Sequence, residues 1–133
     1  MNKKVFNDLP LPKPSMGLDA YNKERKLAFR HDFRRKENYI SYKTQNKLDN
    51  VLDYLPLKLD IENVSRCNFR CIMCQVSDWK KGQRASDLPI ESFKNLIDSQ
   101  FGVFEIKIQG LGEPTLQGED YFKMIQYARK SHI

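Results

Sequence analysis

Two kinds of hydrophobic spacing divide the chain near Pro56. Before this proline, apolar residues recur at helical intervals, which predicts one helix over Tyr21–Lys36 and another over Gln45–Leu55, ended by Pro56. The apolar stripes of the two helices consist of Leu27, Ala28, Phe29 and Phe33, and of Leu48, Val51, Leu52 and Leu55. Residues 1–56 are therefore predicted to form a helical and partly extended N-terminal segment.

After Pro56 the spacing changes to strict alternation. Apolar side chains alternate with polar ones over Leu57–Asn63 and again over Phe104–Gln109, which predicts two strands. A polar connection over Gln75–Asp87 leads to a predicted helix that begins near Pro89, and a last helix is predicted over Glu119–Ser131. The apolar faces of these helices consist of Ile90, Phe93, Leu96 and Ile97, and of Tyr121, Met124, Ile125 and Ala128. Gly102 is expected as a left-handed cap after the first of them.

The order strand–helix–strand–helix predicts an α/β fold with parallel strands and right-handed crossovers. The alternation gives the sheet one polar face, made of Lys58, Asp60, Glu62, Glu105, Lys107 and Gln109. Such a face fits the wet lumen of a barrel, and it equally fits a sheet with one side in bulk solvent, so the pattern leaves both open. If the backbone stays extended through Gly110, the carboxylate of Glu113 points to the same polar side.

Composition narrows the class of protein. The chain has 133 residues, of which 40% are hydrophobic and 30% charged, as in a single globular domain. It lacks the apolar run of about 20 residues that a membrane span needs. Its first residues also lack the apolar stretch of a secretory signal. We therefore expect a cytoplasmic protein without membrane contact.

The net charge of +6 is concentrated in the N-terminal segment. Residues 1–56 contain 12 Lys or Arg against 7 Asp or Glu, whereas residues 57–133 contain 11 against 10. A basic segment can contact nucleic acid, but it is more often an ordinary solvated surface. Nucleic acid is therefore not the expected partner.

All three cysteines of the chain lie within eight residues, spaced Cys67-x3-Cys71-x2-Cys74. Clustered thiolates hold iron–sulfur clusters, and three of them leave one iron of a four-iron cluster with an open position. An open position is typical of chemically active metal centres. Two alternatives stay open: a structural zinc site, which needs a fourth ligand, and a disulfide with one thiol left over, which suits secreted proteins. Arg66 and Arg70 beside the cysteines could offset the charge of a cluster, but ordinary surface cations are the expected interpretation.

Two motifs follow the two predicted strands in this order: Cys67-x3-Cys71-x2-Cys74 and Gly112-Glu113-Pro114. This arrangement over residues 57–133 resembles the radical S-adenosylmethionine (SAM) superfamily. The resemblance implies the first two βα units of a partial (β/α)6 barrel with parallel strands. The chain is accordingly expected to be an N-terminal fragment or truncated reading frame of a longer enzyme, and to be inactive alone.

The resemblance also implies a role for each matching residue. A 4Fe-4S cluster would be held by Cys67, Cys71 and Cys74. Its fourth iron would chelate SAM, and reductive cleavage of SAM would give a 5′-deoxyadenosyl radical that abstracts hydrogen from a substrate of unknown class. SAM would be contacted by Met73, Gly110, Gly112, Glu113 and Pro114. The implied activity is that of an oxidoreductase or transferase, with a flavodoxin or ferredoxin as reductant and no assigned catalytic side chain.

Met73 departs from the commonest version of the motif, in which an aromatic residue precedes the last cysteine and contacts adenine. A polarizable thioether can still lie on a purine. The alternative function is a metal-binding module, with zinc or an electron-transfer cluster, whose basic N-terminal segment contacts nucleic acid.

Overall fold

The computed structural model describes residues 17–46, 48, 51–74 and 85–133. Within these residues the helices are α1 (Leu18–His31), α2 (Phe33–Thr44), α3 (Ile90–Ser99) and α4 (Glu119–Lys130). The strands are β1 (Lys58–Ile61) and β2 (Glu105–Ile108), and a short 3-10 helix spans Pro114–Gln117. Most of the predicted polar connection over Gln75–Asp87 lies outside the described residues.

The two strands pair in parallel, as the alternation and the intervening helix predict. The register places Lys58 opposite Glu105 and Asp60 opposite Lys107. Opposite residues of parallel strands lie on the same face of a sheet, so the predicted polar face is confirmed for these two pairs. Lys58 and Glu105 form an ion pair of 2.8 Å. The hydrogen bond to Glu105 raises the pKa of the Lys58 ammonium.

The other face of the sheet packs against α3 and α4. The buried core there consists of Ile61, Phe93, Ile97, Met124 and Ala128, with Leu59, Ile106 and Ile108 partly buried against it. Phe93 and Met124 are completely buried. Both belong to the apolar helical faces predicted from the sequence, so the prediction is confirmed for these two residues, whereas Ile125 of the predicted α4 face is exposed.

The helix predicted over Tyr21–Lys36 is in fact two helices that meet at Asp32. The backbone of Asp32 is extended, with φ −138° and ψ 110°, and its carboxylate accepts a hydrogen bond of 3.0 Å from the backbone N–H of Arg34. A second bond, from the Arg34 side chain, lowers the pKa of the Asp32 carboxyl. Asp32 is thus the N-cap of α2. The prediction of a single helix was wrong. The apolar spacing continues from α1 into α2, although the helix is interrupted at Asp32.

The helix predicted over Gln45–Leu55 is also wrong, since the described residues of that range form no helix. Val51, on its predicted apolar stripe, is 74% exposed. Side chains bind the backbone here instead: Asn38 donates to the Leu55 carbonyl at 3.0 Å and accepts from the Leu55 N–H at 2.7 Å. Gln45 likewise donates to the Val51 carbonyl at 2.9 Å. These bonds compete with helical hydrogen bonds for the same backbone groups.

Gly102 is not a left-handed cap, because Gly118 is the one glycine with positive φ among the described residues. A Cβ at Gly102 would overlap the side-chain amide of Asn38. The position therefore needs glycine so that α2 can lie close to the start of β2. The sequence predicted that glycine is needed at position 102 for a left-handed backbone. In the structure, glycine is needed there because the Asn38 side chain lies too close for a Cβ.

Arg35 fastens α2 to the α/β unit. It is 4% exposed, and its guanidinium donates to the carbonyls of Phe101, Ser131 and His132, which follow α3 and α4. Carbonyls at helix C-termini carry partial negative charge and suit a cation. Burial lowers the pKa of Arg35. One cation of the basic segment therefore serves packing rather than an external partner.

Candidate functional site

The Gly-Glu-Pro motif lies against the residues that leave β1. Both strands are parallel, so their carboxyl ends meet at one edge of the sheet, where α/β folds collect ligand-binding groups. Residues 110–117, named the GEP turn, follow β2 at this edge. Residues 62–66, named the anchor segment, follow β1 and lead directly into the cysteine loop, residues 67–74.

The anchor segment and the GEP turn are joined by hydrogen bonds at both ends. Oε1 of Glu62 accepts from the backbone N–H of Leu111 at 2.8 Å and of Gly112 at 3.1 Å. The backbone N–H of Glu113 donates to the carbonyl of Arg66 at 2.9 Å. The residue before the first cysteine is therefore bonded to the central residue of the Gly-Glu-Pro motif.

Asn63 adds a buried connection between the same two segments. It is 2% exposed, and its Nδ2 donates to the Pro114 carbonyl at 3.1 Å and to Oε1 of Gln117 at 2.7 Å. The Gln117 amide donates in turn to the Leu88 carbonyl at 2.6 Å, and the Leu88 N–H donates to the Asn63 carbonyl at 2.8 Å. Sequence reasoning missed Asn63 as a site residue. The sequence did contain a signal: Asn63 is a polar residue at a position where the alternation of Leu59 and Ile61 predicts an apolar one.

Glycine at position 112 is required by a close approach. A Cβ on Gly112 would overlap the backbone carbonyl of Val64, and one on Gly110 would overlap the Glu62 side chain. The sequence predicted close approach of a ligand at these glycines. In the structure the approaching groups belong to the anchor segment, and the contact with SAM stays a prediction.

The Glu113 carboxylate is held by its own turn. Its Oε1 accepts from the Thr115 backbone N–H at 3.2 Å and from the Thr115 hydroxyl at 2.6 Å. Glu113 thus caps the 3-10 helix that begins at Pro114. Glu113 is partly exposed and Thr115 is exposed, so this bonded carboxylate remains accessible at the carboxyl edge of the sheet.

The cysteine loop carries its three thiols without disulfides. Cys71 is exposed, whereas Cys67 and Cys74 are partly buried. The backbone N–H of Phe69 donates to Sγ of Cys67 at 3.4 Å, and the N–H of Cys74 donates to the Cys71 carbonyl at 3.0 Å. Across the part of the chain that the structure describes, no three His, Cys, Asp or Glu side chains converge to hold a metal ion.

The chemistry of this donor set still fits an iron–sulfur cluster. Every thiol of the chain lies on one loop, and hydrogen bonds from backbone N–H groups to cysteine sulfur are a usual feature of such clusters. The two histidines of the chain are His31, the last residue of α1, and His132, which follows α4; their rings contact each other at a tilt, with centroids 4.8 Å apart. Neither a histidine nor a fourth cysteine of the loop is there to complete a zinc site.

Apolar side chains on the cysteine loop face solvent. Phe69, Ile72 and Met73 are all exposed. Met73 is therefore accessible to a ligand, and its contact with adenine remains a prediction. Exposed apolar groups around a metal-binding loop are suited to excluding water once a ligand is bound.

The two arginines beside the cysteines differ from each other. Arg70 donates to the carbonyls of Cys67 at 3.4 Å and Phe69 at 2.9 Å, within the loop. Arg66 instead forms an ion pair with Asp87 and donates to the Leu116 carbonyl at 2.7 Å. The prediction that Arg66 is an ordinary surface cation was therefore wrong.

The structure thus brings the Gly-Glu-Pro motif to the residues directly before Cys67. Among the described residues, the three thiols do not form a metal-binding group. No family model, curated protein or solved structure matches the chain. Among the described residues, no helix combines the length and the apolar content needed to cross a membrane.

Proposed function

We propose that this chain is the cofactor-binding part of a radical SAM enzyme. The observation that carries the proposal is the anchor segment, which is hydrogen-bonded to Gly112 and Glu113 and runs directly into Cys67. The Gly-Glu-Pro motif thereby lies against the residue that precedes the first cysteine, at an edge of the sheet where ligand sites of α/β folds form. When bound, the cluster and SAM supply the electron transfer and the radical chemistry.

Each residue of the two motifs has a definite role in this proposal. The thiolates of Cys67, Cys71 and Cys74 hold a 4Fe-4S cluster. The Glu113 carboxylate accepts a charge-assisted hydrogen bond from the ammonium group of SAM. Met73 lies on the adenine ring, and the backbone of the GEP turn at Gly110, Gly112 and Pro114 borders the ligand.

The fold that we propose around this site is a partial (β/α)6 barrel with its polar face inward. Two charged pairs, Lys58 with Glu105 and Asp60 with Lys107, lie on one face of the sheet, while the opposite face packs on the helices. In such barrels the active site forms at the carboxyl ends of the strands. Both motifs follow strand ends at that edge. We further propose a cytoplasmic enzyme that a flavodoxin or ferredoxin reduces.

Anaerobic reconstitution with iron and sulfide tests the metal assignment. We expect about four irons and four sulfides per chain, the content of one 4Fe-4S cluster. Cys71→Ala is expected to retain less than about one iron per chain, because two thiolates hold a cubane poorly. Iron, sulfide and zinc are measured in the same samples.

The alternative is a zinc module with a nucleic-acid-binding segment, and the same measurement separates it. One tightly held zinc per chain and no retained iron would contradict the radical SAM proposal. Full iron content in Cys71→Ala would contradict the assignment of the ligands.

A further inference from the structure

We infer that Arg66 is a positioning residue that couples the GEP turn to the cysteine loop; this inference rests on the proposed function. Its guanidinium bonds to two other segments, through an ion pair with Asp87 before α3 and a hydrogen bond of 2.7 Å to the Leu116 carbonyl. Its backbone carbonyl accepts from the Glu113 N–H at 2.9 Å. One residue thus holds three segments together immediately before Cys67.

The surroundings of Arg66 make these bonds stronger than those of a surface pair. The side chains of Arg66 and Asp87 are 32% and 29% exposed, so water screens their interaction only in part. A charge-assisted hydrogen bond is stronger than a neutral one, and the planar guanidinium fork can bond to a carboxylate and a carbonyl at the same time. The ammonium group of lysine is a point charge and lacks this fork.

Because Arg66 directly precedes Cys67, its bonds affect where the cysteine loop begins relative to the GEP turn. The Cys67 thiol and the Glu113 N–H are both tied to the Arg66 backbone, one through the next peptide bond and one through a hydrogen bond. The guanidinium fixes the direction in which the anchor segment leaves the sheet. Loss of the guanidinium should therefore alter the placement of the cluster relative to the GEP turn. Metal capacity should be retained, because the thiolates themselves are untouched.

Arg70 provides a matched control on the same loop. Its guanidinium donates to the Cys67 and Phe69 carbonyls and, among the described residues, forms no hydrogen bond with the GEP turn. Arg70→Met removes the same charge from the vicinity of the cysteines as Arg66→Met does. A difference in SAM binding between the two variants therefore reflects the contacts that Arg66 makes, and not the loss of one positive charge.

The first experiment measures iron content and SAM binding by equilibrium dialysis after anaerobic reconstitution. Arg66→Met is expected to bind SAM at least tenfold more weakly at wild-type iron content. Arg66→Lys should be intermediate, and Arg70→Met should stay within about twofold of wild type. Wild-type affinity in Arg66→Met, or an equal loss in Arg70→Met, would overturn the inference.

The second experiment needs no metal and measures amide hydrogen exchange in the apo chain. Arg66→Met is expected to accelerate exchange across residues 111–117 at least tenfold, whereas Arg70→Met leaves it at the wild-type rate. A wild-type chain that takes up no iron contradicts the proposed function, yet the exchange rates still decide the coupling. Unchanged exchange in Arg66→Met would show that Arg66 does not hold the GEP turn.

Discussion

The GEP turn is bonded to the anchor segment by side chains and backbone, whereas Arg70 and Cys74 of the cysteine loop form hydrogen bonds within the loop. Glu62, Asn63 and Arg66 all donate to or accept from residues of the turn. In the loop, Arg70 bonds to loop carbonyls and Ile72 is fully exposed. The half of the site proposed for SAM is thus built by the protein alone.

In our proposal, the other half of the site is completed by its ligand. Fixing the backbone of a loop costs roughly 1–2 kcal/mol per residue. Metal–thiolate bonds are strong enough to offset that cost, and metal binding then becomes coupled to ordering of the loop. The two motifs therefore need different tests. The GEP turn is tested by truncating the side chains that hold it, and the cysteine loop by adding metal.

The largest effect on stability is expected from Phe93→Ala. Phe93 is completely buried beneath the sheet, so its truncation should lower the free energy of unfolding by about 3–5 kcal/mol. Phe69→Ala, the same change on the exposed surface of the cysteine loop, should cost less than about 1 kcal/mol. Urea denaturation of both variants measures the difference. Equal costs would mean that the loop is packed as firmly as the core.

Next in size is Asn63→Ala, which removes the buried amide between the anchor segment and the GEP turn. The Pro114 carbonyl and the Gln117 side chain lose a partner, at an expected cost of about 2–3 kcal/mol. The matched variant Asn68→Ala alters an exposed residue of the cysteine loop and should cost less than about 0.5 kcal/mol. The comparison fails if Asn68→Ala is the more destabilising of the two in urea.

Gly112→Ala tests the close approach of the two segments. The added methyl group would overlap the Val64 carbonyl, and moving a backbone is expected to cost about 2 kcal/mol. At Gly17 a Cβ meets nothing within 4 Å, so Gly17→Ala should cost less than about 1 kcal/mol. Thermal unfolding of both variants measures the effect, and equal melting temperatures would argue against the tight contact.

The smallest effect comes from a site outside both regions, the N-cap Asp32. Asp32→Ala should cost about 1 kcal/mol at pH 7. The hydrogen bond from Arg34 lowers the pKa of Asp32 in the folded chain, so its contribution is present above the unfolded pKa of about 4 and is lost as pH falls through the folded value. Urea denaturation from pH 7 to pH 3 should show the difference from wild type shrinking. A difference that grows at low pH would contradict this origin.

Local patterns in the sequence were enough to predict the α/β unit, whereas the role of the cysteines as metal ligands stays a prediction. Alternation placed both strands, and helical spacing placed Phe93 and Met124 in the core. What could not be predicted depends on side chains that reach distant backbone. Asn38 binds Leu55, 17 residues away, and so replaces the helix expected there.

The same limit applied to Arg66, whose partner Leu116 lies 50 residues further along the chain. Nothing in the local spacing of the cysteines indicates that contact. The distances between the three thiols were equally beyond the sequence, because spacing along the chain does not fix where the side chains of a loop lie. The partial barrel and the substrate remain predictions for the same reason, since neither is a property of the residues near the motifs.

The most direct test of the account is the EPR spectrum of the reduced, iron-loaded chain, recorded with and without SAM. The account predicts a cluster signal whose g-values change when SAM is added, because one iron is open to the ligand beside the GEP turn. Cys71→Ala should give no such signal. A wild-type cluster signal that is identical with and without SAM would contradict the central claim.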